Sequence, residues 1–328
     1  MTGKALRRIG RAGRKFEFTW RYLFNLAPTL SYRVQRRSID GEAARVLADL
    51  NRDGIAVTTV QSLSGMDSCF DLLCEEFDSL QRSMADHIEQ ARAEVASLDK
   101  IGKKSFIFEY LGPNPVLNPR EIYARFALHG SILQIANAYL GMHTRLRYYN
   151  VWHTFKSQAQ ARESQLWHRD REDRYILKAF VYLCDVEEGA GPFTYAAGTH
   201  AKGQVKDHPE CFTEEGVKRS TDGQMAEVVP PKNWLKGVGP KGTIIFADTH
   251  GYHKGGLART HDRIMYTCMF TSPASESREF LRRVEPIPNP PDPALAFALA
   301  APHPGAWLNW HPGGSSSLGL PNSENTSL

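Results

Sequence analysis

The sequence predicts a mainly β domain with flanking helices, and three observations support this fold class. Its 328 residues are 41% hydrophobic and 23% charged, which is the balance of a globular protein with a buried core. Apolar residues recur at helical spacing in the first half. From about residue 146, short segments rich in Tyr, Phe, Val, Ile and Thr alternate with turns that contain Gly or Pro, as in an all-β barrel or sandwich.

Residues 1–37 form a basic leader. They contain ten Lys and Arg residues and the single acid Glu17, although the whole chain carries a formal charge of only +4. Aromatic residues are interleaved between Phe16 and Phe24. The leader either lies on an anionic lipid surface or docks a partner, or it is a partly flexible segment whose aromatic side chains pack on the domain. We favour the second interpretation.

Composition and cysteine spacing also limit the cellular location and the binding partners that we expect for this protein. Charged residues interrupt the apolar run that a signal peptide needs after Arg7-Arg8, and no segment approaches the roughly 18 apolar residues of a membrane span. The five cysteines are odd in number, widely spaced and without a C-x-x-C pair, which argues against a disulfide framework and a thiolate zinc site. We therefore predict a soluble cytoplasmic protein that keeps its N-terminus and has no nucleic-acid partner.

The helical scaffold is expected over residues 38–140. Asp40 is a plausible N-cap for a helix over 42–52, and Asp53-Gly54 ends it before a β-branched strand over 55–60. Apolar residues at three- and four-residue spacing predict a helical stretch over 67–98 with one buried stripe. After a proline-rich loop over 113–119, a second helix is predicted over 120–140.

The β-rich core is expected over residues 141–275, within a single domain that covers 38–285. The predicted strands are 146–155, 175–183, 191–196, 243–247 and 263–271. From residue 286 to the end, Pro, Gly, Ser and Asn dominate, which predicts a mobile tail.

A candidate metal site lies within the β-rich region. An Fe(II) centre for oxygen chemistry needs two neutral imidazoles and one carboxylate on one face of the metal. Positions i and i+2 of a strand project to the same side, so His168-Arg169-Asp170 supplies two such ligands. The similar triplets His87-Ile88-Glu89 and His208-Pro209-Glu210 lie in a predicted helix and in a proline-containing loop.

The third ligand should come from a distant strand. His253 follows the buried-looking strand 243–247, and His250 in the preceding turn competes with it. Arg263 lies ten residues after His253 and opens the last predicted strand. A guanidinium on an inward face is costly unless it binds a carboxylate, so a dicarboxylate co-substrate would supply its partner.

These segments together resemble a known enzyme family. The resemblance is carried by 167–170, by 185–195 with 198–200, and by 246–256 with Arg263. They closely resemble the phytanoyl-CoA dioxygenase family of Fe(II)- and 2-oxoglutarate-dependent oxygenases over roughly residues 140–272. The resemblance implies a double-stranded β-helix core, also called a jelly roll and cupin-like. It also implies that His168, Asp170 and His253 hold the iron and that Arg263 binds the distal carboxylate of 2-oxoglutarate.

Two features depart from the family pattern. The small hydroxyl residue that often follows the arginine by two positions is Met265, and His250 competes with His253. The ten-residue spacing to Arg263 matches the family and favours His253. Lys178 and Tyr182 share one strand face with Phe180 and are weaker candidates for contact with the co-substrate or substrate.

Other basic residues near the predicted metal strand are open to two interpretations. Arg169, Arg171 and Arg174 either attract an acidic substrate or are solvated charges. We expect His153, His200 and His261 to be surface or core histidines.

The resemblance implies a dioxygenase that hydroxylates an unactivated C–H bond of a small biosynthetic or lipid-like molecule and releases succinate and CO2. The carboxylate Asp170 argues against a halogenase, while desaturation and ring formation stay open. The alternative is a non-catalytic jelly-roll module that binds a metal or ligand and is targeted to a surface by its basic leader.

Overall fold

The computed structural model describes residues 16–36, 38–97, 106–213, 218–275, 277–283, 287 and 290–301. A five-residue π-helix, Trp20–Phe24, lies between the first two α-helices. The α-helices are α1 (Glu17–Thr19), α2 (Leu26–Gln35), α3 (Gly41–Asp53), α4 (Asp67–Ser83), α5 (Ala85–Ser97), α6 (Ile122–Ala127), α7 (Gly130–Leu140), α8 (Asp222–Ala226) and α9 (Pro293–Ala298).

Nine short to medium strands follow the same order along the described chain. They are β1 (Ile55–Thr59), β2 (Ile107–Glu109), β3 (Arg145–Thr154), β4 (Leu177–Tyr182), β5 (Phe193–Ala196), β6 (Trp234–Gly237), β7 (Thr243–Asp248), β8 (His253–Gly255) and β9 (Arg263–Thr271). All pair antiparallel, in a six-stranded sheet of order β1-β7-β4-β9-β3-β2 and a three-stranded sheet of order β6-β5-β8.

The two sheets form a jelly-roll core with flanking helices, as the sequence predicted, and α3, α6 and α7 pack against the six-stranded sheet. Because successive side chains of a strand point to opposite faces, β4 contributes to the packing on both sides of the larger sheet. Phe180 faces the small sheet, where its ring centroid lies 4.7 Å from that of Phe193. Ala179 and Val181 face the opposite way, into the larger core that the sheet shares with the helices. This arrangement leaves the space between the two sheets for a site.

Several predicted boundaries are wrong for local reasons. The helical stretch over 67–98 is two helices, because the backbone turns at Met84 (φ −107°, ψ 13°). The helix over 120–140 is also two, since His129 caps a new helix with its own side chain, which accepts from the Ser131 N–H. Strand β8 is a further difference, because residues 253–255 were not among the predicted strands.

Part of the segment predicted as a mobile tail has regular structure. Residues 293–298 form α9, and the Asp292 side chain caps it by accepting from Ala294 N–H at 2.7 Å and Leu295 N–H at 3.2 Å. Proline at the first helical position suits this start. Residues 302–328 of the predicted tail lie outside the described residues.

The second half of the leader docks on the domain. Trp20 is buried, and its indole N–H donates to Asp173 Oδ1 at 2.8 Å. Arg21 donates to the carbonyl oxygens that end α7, Leu140 at 2.9 Å and Gly141 at 3.1 Å. A cation at a helix C-terminus is favourable because it bonds carbonyls that lack helical partners. The prediction that the aromatic residues pack is correct for Trp20 and wrong for the exposed Phe16 and Phe18; residues 1–15 lie outside the described part.

Within the described ranges, no helix has both the length and the apolar composition that crossing a bilayer requires.

Close backbone packing fixes the loop after β8, and this gives a first testable prediction. A Cβ on Gly256 would lie 2.6 Å from Gly191 C and 2.7 Å from Pro192 O, and both are backbone atoms. We expect Gly256→Ala to lower the free energy of unfolding by at least about 2 kcal/mol, since neither backbone can yield cheaply. Gly130→Ala is the control, because nothing lies within 4 Å of its added Cβ and alanine favours a helix.

Urea unfolding of both variants tests this expectation. A Gly256→Ala protein as stable as Gly130→Ala would show that the backbone contact imposes no constraint.

Candidate functional site

Three buried side chains meet between the two sheets. One ligand atom from each of His168, Asp170 and His253 lies within 4.8 Å of the other two. The two histidines come from segments 85 positions apart, and their backbones exchange two hydrogen bonds of 3.0 Å, His168 N–H to His253 O and the reverse. His168-Arg169-Asp170 was predicted to lie on a strand, but it pairs only through the bridge between His168 and His253 and forms no regular strand.

Backbone carbonyls orient both imidazoles. Nδ1 of His168 lies 2.9 Å from Leu166 O, and Nδ1 of His253 lies 3.0 Å from Gly251 O. A carbonyl oxygen only accepts, so Nδ1 carries the proton and Nε2 keeps a free lone pair. Burial lowers the pKa of His253 to about 4 and lowers the pKa of His168 as well. Both rings are therefore neutral near pH 7, which metal ligation requires.

Asp170 supplies the charge of the cluster. Burial by itself would raise the pKa of Asp170, but the neighbouring Lys178 and the two histidines outweigh it and hold that pKa well below its usual value. Lys178 Nζ lies 2.6 Å from Asp170 Oδ2, and both side chains are buried. The site therefore holds an ionised carboxylate beside two neutral imidazoles, which is a donor set for a divalent transition metal.

The competing histidine lies outside this cluster. The backbone of His250 is held in the turn by its N–H, which donates to Asp248 Oδ1 at 3.0 Å, and by its carbonyl, which accepts from Arg169 Nε at 2.5 Å. The group of metal-binding side chains found among the described residues contains His253 and not His250.

Arg263 lines the same cavity as the three side chains above. It is 3% exposed, and its Nη2 donates to Thr154 Oγ1 at 3.3 Å, across the β9–β3 pairing that sets Arg263 opposite Thr154. Its Nε and Nη1 have no hydrogen-bond partner in the described part of the chain. Burial lowers its pKa. A buried guanidinium with open donors is costly, and a carboxylate ligand would satisfy it.

The cavity has an apolar wall and polar ends. Besides the four residues described above and Lys178, it is lined by Phe106, Ile107, Trp152, Ser164, Gln165, Phe180, Phe193, Gly255, Gly256 and Met265. Most of these residues had no signal in the sequence, because their convergence depends on strand register. The alternation along β4 did indicate Phe180, and Met265 was noted for its spacing from Arg263.

The two weaker candidates on β4 separate in the structure. Lys178 lines the cavity, while Tyr182 lies farther along the strand in the apolar cluster between the sheets and is absent from the cavity lining. The Tyr182 hydroxyl donates to Gly237 O instead. The alternation of side chains correctly predicted which strand face is internal. It does not predict how far the cavity extends along that face.

The three arginines near the metal loop have different surroundings. Arg169 lies over the Tyr252 ring at 4.9 Å, and Arg174 Nε donates to Glu17 Oε2 at 2.8 Å. Arg171 is exposed. Arg169 and Arg174 thus serve contacts within the protein, and none of the three lines the cavity.

A buried histidine away from the cluster gives a second prediction, on pH. His200 is 1% exposed, and burial lowers its pKa from 6.5 to about 4. Between these values the unfolded chain takes up a proton that the folded chain excludes, so stability falls as pH drops from 6.5 toward 4. We expect this residue to account for up to about 3 kcal/mol of the decrease in the free energy of unfolding. His200→Gln should flatten the fall, as measured by urea unfolding across the window.

The exposed His87 supplies the control. His87→Gln should leave the pH dependence of unfolding unchanged, and an equal flattening in both variants would contradict the role given to His200.

Comparison with known proteins finds similarity in fold and not in sequence family. No protein-family model matches the sequence, and no curated protein matches it. Among solved structures, the chain is similar to EctD from S. alaskensis with bound Fe, at TM-score 0.51 and 16% identity, over 77% of this chain and 85% of that one. EctD with 2-oxoglutarate and 5-hydroxyectoine matches at TM-score 0.50 and 15% identity, over 84% and 89%.

A further similar structure is SnoN, a non-heme alpha-ketoglutarate-dependent epimerase from nogalamycin biosynthesis, at TM-score 0.44 and 18% identity, over 70% of this chain and 83% of that one. The likeness to EctD confirms the predicted fold class, a jelly-roll core with flanking helices. The resemblance to the phytanoyl-CoA dioxygenase family stays a prediction.

Proposed function

We propose that the chain is an Fe(II)- and 2-oxoglutarate-dependent oxygenase. The observation that carries this proposal is the combination of a buried His-Asp-His cluster and a buried arginine with open donors in one cavity. A carboxylate ligand would pair the buried guanidinium, and a dicarboxylate co-substrate bound in the same cavity as the cluster would supply it. One of the two EctD structures has bound Fe and the other has 2-oxoglutarate, which is in keeping with this proposal.

The residues present fit both groups. His168 and His253 would offer Nε2 atoms and Asp170 a carboxylate oxygen to Fe(II), which leaves further coordination positions open. Arg263 would bind the distal carboxylate of 2-oxoglutarate through Nε and Nη1, beside the Thr154 hydroxyl. When bound, the metal and co-substrate would supply the oxidising chemistry, in which 2-oxoglutarate, O2 and a C–H bond become succinate, CO2 and C–OH.

The chain's own residues would position the substrate and exclude water. Trp152, Phe180 and Phe193 give the cavity a rigid apolar wall, which suits a hydrocarbon portion of a small biosynthetic or lipid-like molecule. Lys178 would keep Asp170 ionised and fix its orientation through the 2.6 Å ion pair. We further propose hydroxylation as the outcome, since Asp170 would give the metal a carboxylate ligand and so argues against a halogenase.

Two finer proposals rest on the sequence. Segments 167–170 and 246–256 support membership of the phytanoyl-CoA dioxygenase family. A cytoplasmic location is supported by the five cysteines, all of which are free thiols.

Anaerobic titration of the metal-free protein tests the proposal without knowledge of the substrate. Fe(II) is added first and 2-oxoglutarate second, and the expected result is the weak visible charge-transfer band of the chelated keto acid. Admission of O2 should then release succinate slowly, even without substrate. Folded protein that gives no band would overturn the proposal. A band without succinate would favour the alternative, a non-catalytic jelly-roll binding module.

A further inference from the structure

The leader presents an apolar surface to solvent. We name it the outer face and define it by Phe16, Phe18, Leu23, Leu26, Leu30 and Val34, which are 67%, 71%, 68%, 46%, 47% and 85% exposed. Leu26, Leu30 and Val34 recur every four residues and so share one side of α2. Outside the leader, only four large hydrophobic side chains of the described chain reach comparable exposure, and these are scattered. Such a cluster marks an interaction surface.

The domain holds the opposite side of the leader in place. Trp20, Asn25 and Thr29 are buried, and the Asn25 side chain donates to Trp20 O at 2.9 Å while its Oδ1 accepts from the Ala274 N–H at 3.1 Å. With the Arg21 contacts to the end of α7, these bonds fix the rotation of the leader. The outer face therefore belongs to an anchored segment. Rotation of α2 that moved the outer face toward the core would break the buried contacts of the leader.

Two exposed arginines of the leader accompany the outer face. Arg33 lies three positions after Leu30 on the same side of α2, and both Arg33 and Arg36 are exposed. A cavity between the leader and α7, on the domain side of the leader, is lined by Arg21, Arg33, Arg36 and Lys202, and Arg21 is paired there with Glu17 at 2.6 Å. The sequence before the outer face adds six more bases, Lys4, Arg7, Arg8, Arg11, Arg14 and Lys15.

We propose that the outer face binds an anionic lipid surface, with its apolar side chains at the acyl boundary and its bases among the headgroups. Exposed apolar residues flanked by Arg and Lys are the features of a helix that lies in the membrane interface. A second copy of the chain is the less suitable occupant, because a symmetric contact would bring two strongly basic leaders together. This binding is independent of the oxygen chemistry proposed above.

Vesicle co-sedimentation of the full chain tests the proposal. Vesicles of phosphatidylcholine alone are compared with vesicles that also contain phosphatidylglycerol. We expect binding to the anionic vesicles, weaker binding at raised salt, and at least about tenfold less binding to the neutral ones. The double variant Leu26→Ser/Leu30→Ser should lower binding to anionic vesicles by at least about tenfold.

A second double variant provides a matched control. Leu72 and Leu235 are 45% and 39% exposed, close to Leu26 and Leu30, but they lie outside the leader. Leu72→Ser/Leu235→Ser should therefore bind like the wild type. Circular dichroism of both variants checks that each is folded.

Three results would overturn the proposal. The first is folded wild-type protein that fails to sediment with anionic vesicles. The second is equal binding by the two double variants, which would place the contact elsewhere. The third is a dimer in analytical ultracentrifugation that Leu26→Ser/Leu30→Ser dissolves while vesicles are not bound, which would make the outer face a contact between copies.

Discussion

His253→Ala is expected to weaken Fe(II) binding by more than about 100-fold and to abolish the charge-transfer band with 2-oxoglutarate, whereas His250→Ala is expected to retain both. Loss of a residue that only orients a metal ligand already lowers metal affinity by about 10–100-fold, and removal of a ligand itself should lower it further. The measurement is anaerobic Fe(II) titration of each metal-free variant, followed by addition of 2-oxoglutarate.

The pair is informative because the two histidines are chemically alike. They lie three positions apart, and burial lowers the pKa of each to about 4. Equal loss in both variants would mean that the substitutions disturb the turn as a whole. Loss in His250→Ala alone would reverse the ligand assignment.

Arg263→Met is expected to change two properties in opposite directions. Without its guanidinium, the protein should require at least about 30-fold more 2-oxoglutarate for the band, because truncation of a buried charge partner costs about 2–5 kcal/mol. The ligand-free protein should become more stable, by about 1 kcal/mol or more, since an unpaired buried charge is replaced by an apolar chain of similar length. Titration and urea unfolding in the absence of ligand measure the two effects.

Arg171→Met is the matched control, because Arg171 is exposed and does not line the cavity. It should alter neither property. If Arg263→Met destabilised the ligand-free protein and left 2-oxoglutarate binding unchanged, the arginine would be structural and the co-substrate assignment would be wrong.

The long strands and the fold class were predictable because each leaves a local pattern. The last strand, β9, was predicted at the bounds that the structure shows, since eight residues of β-branched, aromatic and other apolar character follow Arg263 within it. Strands β2, β6 and β8 have three or four residues each, which is too short for alternation to stand out. Their existence depends on the partners that tertiary structure brings to them.

The residues of the candidate site were likewise predictable only where a local sequence pattern marks them. Spacing and resemblance indicated His168, Asp170, His253 and Arg263, and the structure brings all four to one cavity. The other residues around the site were not predictable. Thr154 faces Arg263 only because of the register between β3 and β9, and Gln165 comes from a short 3-10 turn, Glu163–Gln165. Register is set by many weak contacts across the sheet and leaves no mark on a single segment.

The paired hydrogen bonds between His168 and His253 bear on how the protein matures. These bonds close a loop of 85 positions and join the segment before β4 to the small sheet. Contacts of such sequence separation form late, since loop closure must precede any gain from pairing. A chain in which these bonds have not yet formed would therefore hold the imidazoles apart and would have little affinity for metal. Metal uptake during refolding would then report the last step of assembly, and iron would enter only a chain whose sheets have already closed.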